Sequence, residues 1–144
     1  MMGSTYDYSG GPMSEFQSGM ESGRRVLVVD DEPLIRMLVI DTLEELGLAA
    51  VEAGNATEAM TMLDSDHSID LLVTDLNLPG GMDGRHLVDL ARRTRRDLKV
   101  LFITGYAAAA DDVADDQTHL LAKPFMTETL AAHIGQLLGL TAPE

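Results

Sequence analysis

Asp30, Asp31, Asp75, Thr104 and Lys123 are the residues of this chain whose types and settings point to chemistry. Each closes or follows an apolar run: residues 26–29 lead into Asp30-Asp31-Glu32-Pro33, residues 69–74 into Asp75, residues 99–104 end on Thr104, and residues 119–122 lead into Lys123. Carboxylates gathered in one crevice repel by about 1 to 4 kcal/mol per pair at contact distance near a protein surface, so a positive charge must sit among them. A hard divalent cation such as Mg2+ takes oxygen ligands, keeps several waters, and draws on one or two carboxylates plus phosphate oxygens. Asp30, Asp31 and Asp75 answer that requirement, and the backbone carbonyl of Asn77 offers a further ligand. Lys123 supplies a second positive charge and Thr104 a hydroxyl donor, a pair suited to the oxygens of a phosphoryl group. Carboxylate nucleophile, metal, lysine and hydroxyl are the parts of an aspartyl-phosphate site.

Bringing those residues together is a task for the elements between them. The run before Asp30 reads as a strand buried on both faces, and Pro33 suits the first turn of a following helix. Residues 33–46 carry Ile35, Leu38, Val39, Thr42 and Leu46 at helical spacing, and Gly47 is a helix stop. A short strand at 48–53, interrupted by Glu52, turns through Gly54-Asn55 into a helix bearing Ala59, Met60 and Leu63. Residues 69–74 form the next strand, and 75–84, rich in Gly and Pro, a loop. Asp83 is placed to cap a helix beginning near Arg85 and continuing through Leu87, Leu90 and Ala91. A strand at 99–104, a short acidic segment of helical leaning at 106–117, a strand at 119–122 and a last helix with Leu130, Ile134, Leu137 and Leu138 complete the order. Five βα repeats imply an α/β fold, a doubly wound five-stranded parallel sheet with right-handed crossovers. All strand carboxyl ends then share one edge, where ligands of such sheets sit, and the five chemical residues lie on it.

Composition narrows the classes. At 144 residues the chain suits one domain with a real core. No cysteine is present, which rules out disulfides and thiolate metal sites and fits a reducing cytoplasm. No apolar run reaches the roughly 20 residues that span a bilayer, and no signal-peptide pattern opens the chain. A formal charge of -14 argues against general nucleic-acid binding. Residues 1–23, rich in Gly, Ser and Met, read as a disordered lead before a domain at 24–140 and a stub at 141–144.

With these motifs in place, the chain resembles the receiver domain of bacterial two-component response regulators, over roughly residues 24–139. The resemblance rests on Val-Val-Asp30-Asp31-Glu32-Pro33, on Val-Thr-Asp75-Leu-Asn77-Leu-Pro79 with Met82-Asp83-Gly84, on Ile-Thr104-Gly, and on Lys123-Pro124-Phe125. It implies a flavodoxin-like (βα)5 sheet with strand order 2-1-3-4-5. It implies that Asp75 accepts phosphate from a histidine kinase or a histidine phosphotransfer protein, that Asp30 and Asp31 hold Mg2+, that Lys123 pairs with the phosphoryl group, and that Thr104 swings toward it. Such a chain is no enzyme in the ordinary sense, although it assists its own phosphorylation and dephosphorylation. Three departures stand out. Leu120 occupies the place where many receivers carry a switch aromatic, and Tyr106, two residues after Thr104, is the candidate replacement, as in a subset of stand-alone receivers. Gly80-Gly81 lengthens the loop after Asp75, and the segment between Thr104 and Lys123 is short and acidic.

The expected role is a stand-alone cytoplasmic receiver, monomeric or weakly dimeric, that switches binding to a downstream protein or relays phosphate, with neither a nucleic-acid nor a membrane partner. The rival roles are a receiver-like module that binds without phosphate and a receiver cut from a hybrid kinase. A flavodoxin-like nucleotide site is disfavoured, because Asp31-Glu32-Pro33 follows the first strand where a glycine-rich phosphate loop would be needed. His67, His86, His119 and His133 share no motif, Arg92, Arg93, Arg95 and Arg96 read as a solvated helix end, and Met37, Met60 and Met62 read as packing.

Overall fold

A computed structural model describes residues 24–105 and 115–140. The readings of 1–23 as a lead, of 141–144 as a stub, of Tyr106 as a replacement aromatic, and of most of the acidic segment fall outside the described residues. Five parallel strands, β1 (Arg25–Val29), β2 (Ala49–Ala53), β3 (Ile69–Asp75), β4 (Lys99–Thr104) and β5 (Thr118–Ala122), form one sheet in the order β2-β1-β3-β4-β5. The helices are α1 (Pro33–Glu45), α2 (Ala56–Ser65), α3 (Gly84–Arg92) and α4 (Thr127–Leu138). The sequence boundaries hold to within a few residues; β3 takes in Asp75 itself and β5 begins at Thr118.

The near-continuous apolar character of the strands has its cause in helices on both faces. Leu27 and Val29 of β1 point into a core with Ala59 and Leu63 of α2 and Leu87, Val88 and Ala91 of α3. Val26 and Val28 point the other way, against Val39 and Leu43 of α1 and Leu130 and Ile134 of α4. Alternation along a strand thus feeds two cores, one per face. Leu120 joins the first of them, as do Met60 and Met62.

Local chemistry sets the helix ends. Asn55 caps α2 by accepting from the Glu58 N–H, and Asp83 caps α3 by accepting from the His86 N–H, as its sequence position suggests. Gly47 and Gly139, at φ +79° and +68°, end α1 and α4 in the left-handed region where glycine is unstrained.

Two expectations are corrected. Met37 is exposed, not packed, and so is Leu38, because the inward arc of α1 is Val39, Thr42 and Leu43. Leu34, Met37 and Leu38 form an outward apolar stripe instead. The arginines at the end of α3 and just beyond it are not uniformly solvated either. Arg92 donates to the carbonyls of Leu98 and Gln117, and Arg95 to those of Asp66, His67 and Ile69, so two of the four act as backbone clamps while Arg93 and Arg96 stay exposed.

Candidate functional site

Parallel strands with β1 and β3 side by side bring Asp30 and Asp75 to the same edge of the sheet. Both are buried and held in the same way. One oxygen of each accepts the backbone N–H two residues on: Asp30 Oδ1 from Glu32 at 2.8 Å and Asp75 Oδ1 from Asn77 at 2.9 Å. Such turns fix the carboxylates at the point where each chain leaves its strand. The second oxygen of each faces Lys123, whose Nζ lies 2.9 Å from Asp75 Oδ2 and 3.4 Å from Asp30 Oδ2.

Lys123 is delivered by β5 and by its neighbour. Its backbone N–H donates to the Thr104 carbonyl at 2.8 Å, which continues the β4–β5 ladder one step beyond Ala122 and fixes the root of the side chain. The peptide to Pro124 is cis. Thr104 is fully buried at the end of β4, beside the strand that ends on Asp75.

Electrostatics follow from this geometry. Burial pushes the Asp30 carboxyl above its ordinary value, and the Asp75 charge adds to the rise, while the Glu32 N–H and the Lys123 ammonium oppose it. Burial would lower Lys123, but bonds to Glu32 and Asp75 and the charges of Asp30 and Asp75 outweigh it, so the ammonium is held charged well above its usual range. The lysine stays positive because it neutralises the acids around it.

Asp30, Glu32 and Asp75 each offer an oxygen within 4.8 Å of the others. Asp31 lies outside that trio, on an exposed position. The backbone bends at Asp31, and with the Glu32 N–H tied to Asp30 Oδ1 the carboxylates of Asp30 and Glu32 both reach Lys123 while Asp31 is exposed. Hard oxygen donors at this separation fit a Mg2+ ion.

One further contact supports the acceptor. The N–H of Gly84, the first residue of α3, donates to the Leu76 carbonyl, folding the loop that contains Gly80 and Gly81, both at positive φ, back onto Asp75.

The chain is similar to known proteins over most of its length. The family model of the response regulator receiver domain matches residues 26–135. The receiver protein CpdR of Brucella abortus is 33% identical over 118 residues, 80% of this chain and 97% of that protein. The sensor kinase CckA of the same organism is 31% identical over 128 residues, 86% of this chain and 13% of the kinase, so the chain spans a small part of that relative. Among solved structures, a receiver protein from Sinorhizobium medicae superposes with a TM-score of 0.73 at 29% identity, covering 81% of this chain and 94% of that one. The response regulator TrrA of Thermotoga maritima, in complex with Mg2+ and BeF, gives 0.71 at 30% identity, covering 79% and 98%. No helix among the described residues is long and apolar enough to cross a membrane.

Proposed function

Because the chain belongs to the response regulator receiver domain family, we propose that Asp75 is the phosphoacceptor of a two-component pathway and that residues 24–140 form the working domain. The observation that carries this reading is the shared lysine: Lys123 Nζ bridges the free oxygens of Asp75 and Asp30, while their other oxygens are tied to backbone N–H groups. A carboxylate held by one oxygen keeps a fixed attack direction.

In the transfer, an oxygen of Asp75 forms a bond to the phosphorus of a phosphohistidine as the N–P bond breaks, and the leaving imidazole nitrogen takes a proton. The donor is a histidine kinase or a histidine phosphotransfer protein. Lys123 follows the new negative charge from carboxylate to phosphoryl oxygen. Asp30 and Asp75, with Asp31 at the rim and the Asn77 carbonyl, would hold Mg2+, while the carboxylate of Glu32, the third acid of the cluster, is engaged by Lys123. When bound, the ion supplies positive charge to the phosphoryl oxygens. Thr104, buried beside Lys123, and Tyr106 beyond it carry the switch, and the altered surface either binds a downstream protein or passes the phosphate on within the cytoplasm.

The test uses the chain and an Asp75→Asn variant with Mg2+ and a small-molecule phosphodonor, followed by intact mass. A base-labile adduct on the wild type that the variant lacks is the expected result; an unmodified wild type overturns the proposal.

A further inference from the structure

Glu32 has no part in the acceptor reading of the sequence beyond belonging to the first acidic motif, yet the structure puts its carboxylate on the lysine. Lys123 Nζ donates to Glu32 Oε1 at 2.9 Å, the same distance as to Asp75 Oδ2. An ammonium has three N–H donors, and Asp30, Glu32 and Asp75 surround it. The three acids are not equivalent. The side chains of Asp30 and Asp75 are 3% and 11% exposed and fixed by backbone N–H groups, whereas that of Glu32 is 58% exposed. Glu32 is the arm of the cluster that can leave at little cost, because its carboxylate can regain water.

A phosphoryl group on Asp75 brings up to two negative charges and three acceptor oxygens within reach of the same ammonium. The phosphoryl oxygens then draw on an ammonium whose three donors are already shared among Asp30, Glu32 and Asp75. We infer that Glu32 is a positioning residue for Lys123, holding the ammonium toward the rim in the unphosphorylated chain and competing with the phosphoryl group for it. This rests on Asp75 being the acceptor. Removal of the Glu32 carboxylate leaves Lys123 free to pair with the phosphoryl oxygens and favours the phosphorylated arrangement.

The probe is beryllofluoride, a noncovalent phosphoryl mimic, titrated into the full chain at Mg2+ concentrations that saturate both wild type and variant and followed by 19F NMR at about 0.5 M salt, where long-range charge effects are screened. Glu32→Gln, nearly isosteric and at an exposed position, is expected to bind the mimic about two- to fivefold more tightly than the wild type, the scale of one exposed ion pair. Glu32→Asp keeps the charge on a shorter arm and is expected to resemble Gln; behaviour like the wild type would show a bare charge effect and overturn the inference. Equal or weaker binding by Glu32→Gln overturns it too. Lys99 and Lys123 are the only lysines, so the Lys123 ammonium resonance is readily assigned. It is expected to shift in metal-free Glu32→Gln, and an unchanged resonance counts against the inference. A wild type that takes no adduct overturns the acceptor reading and this competition together, whereas equal binding by wild type and variant ends the competition alone.

Discussion

Gly84 lies directly against the acceptor backbone: a Cβ at this position would stand 1.9 Å from the carbonyl oxygen of Asp75 and 2.9 Å from its carbonyl carbon. The neighbour is main chain, which cannot rotate aside, so the helix start and the acceptor must move apart if any side chain is added. Gly84→Ala is therefore expected to cost about 1 to 3 kcal/mol of stability, as overpacking does, and to slow phosphorylation of Asp75 beyond that loss. Urea unfolding and the rate of adduct formation measure the two effects. A variant with both properties of the wild type would show that the contact does not position Asp75.

Asp30 gives a prediction whose sign depends on the metal. Burial, the largest influence, raises its folded-state pKa above 3.8, so the unfolded chain gives up this proton first as pH rises. The folded state is then penalised above the unfolded value, and the penalty disappears below it. Without metal, Asp30→Asn is expected to melt above the wild type at neutral pH, with the gain fading as pH falls toward 3.8. With Mg2+ the order reverses, because the wild type keeps the ligand; its affinity is expected to exceed that of the variant by about tenfold or more, the range seen on losing groups that support a metal site. Thermal scans and calorimetric Mg2+ titrations check both halves.

His119 on β5 and His133 on α4 meet with their Nδ1 atoms 2.8 Å apart and their rings edge to face. One nitrogen donates and the other accepts, so the bond cannot survive protons on both. Burial, then the neighbouring His119, pulls the His133 pKa below 6.5. Between that lowered value and 6.5 the unfolded chain binds more protons, so stability rises with pH there. The contribution is complete above 6.5 and lost as pH falls below it. His133→Gln is expected to flatten the acid side of the melting profile, which a pH series of melting temperatures for both chains will reveal.

Arg95 donates to the Asp66 and His67 carbonyls at 3.2 Å each and also to Ile69, fastening the loop after α3 to the turn that enters β3. Arg95→Ala leaves those carbonyls short of a partner and is expected to cost about 1 to 3 kcal/mol. Because the clamp lies at the far end of β3 from Asp75, Mg2+ affinity should be unchanged. Denaturant titration and calorimetry separate the two expectations.

The strands and the meeting of Asp30, Asp75 and Lys123 were legible in the sequence because each rests on a local signal, an apolar run of strand length followed at once by a charged residue, whereas the strand order followed only from the family resemblance. The cap at Asp83 was equally legible, since the side chain bonds nearby backbone; Asn55, read as part of a turn, caps α2 in the same way. The inward arc of α1 was harder. Seven of its residues are large and apolar, so two stripes compete, and only packing against α4 selects Val39 and Leu43 over Leu38. Glu32 was hidden because adjacent acids look alike in one dimension, and only the bend at Asp31 and the contact with Lys123, distant in sequence, set Glu32 apart from its neighbour. The inward bonds of Arg92 and Arg95 were invisible for a different reason: their partners are carbonyls, which carry no sequence signature.

Arg24 Nη1 donates to the carbonyl of Leu138 at 2.7 Å, joining the residue before β1 to the last residue of α4 at the pole opposite Asp75. The described fold therefore begins and ends at one place, as a loop with its clasp behind the reaction edge. A short linker could close that clasp, and the chain could be reopened at the turn between α2 and β3, so that its elements follow one another from a new starting point. In such a circular permutant the acceptor, its lysine and the acids between them would keep their places, since none of them contributes to the clasp.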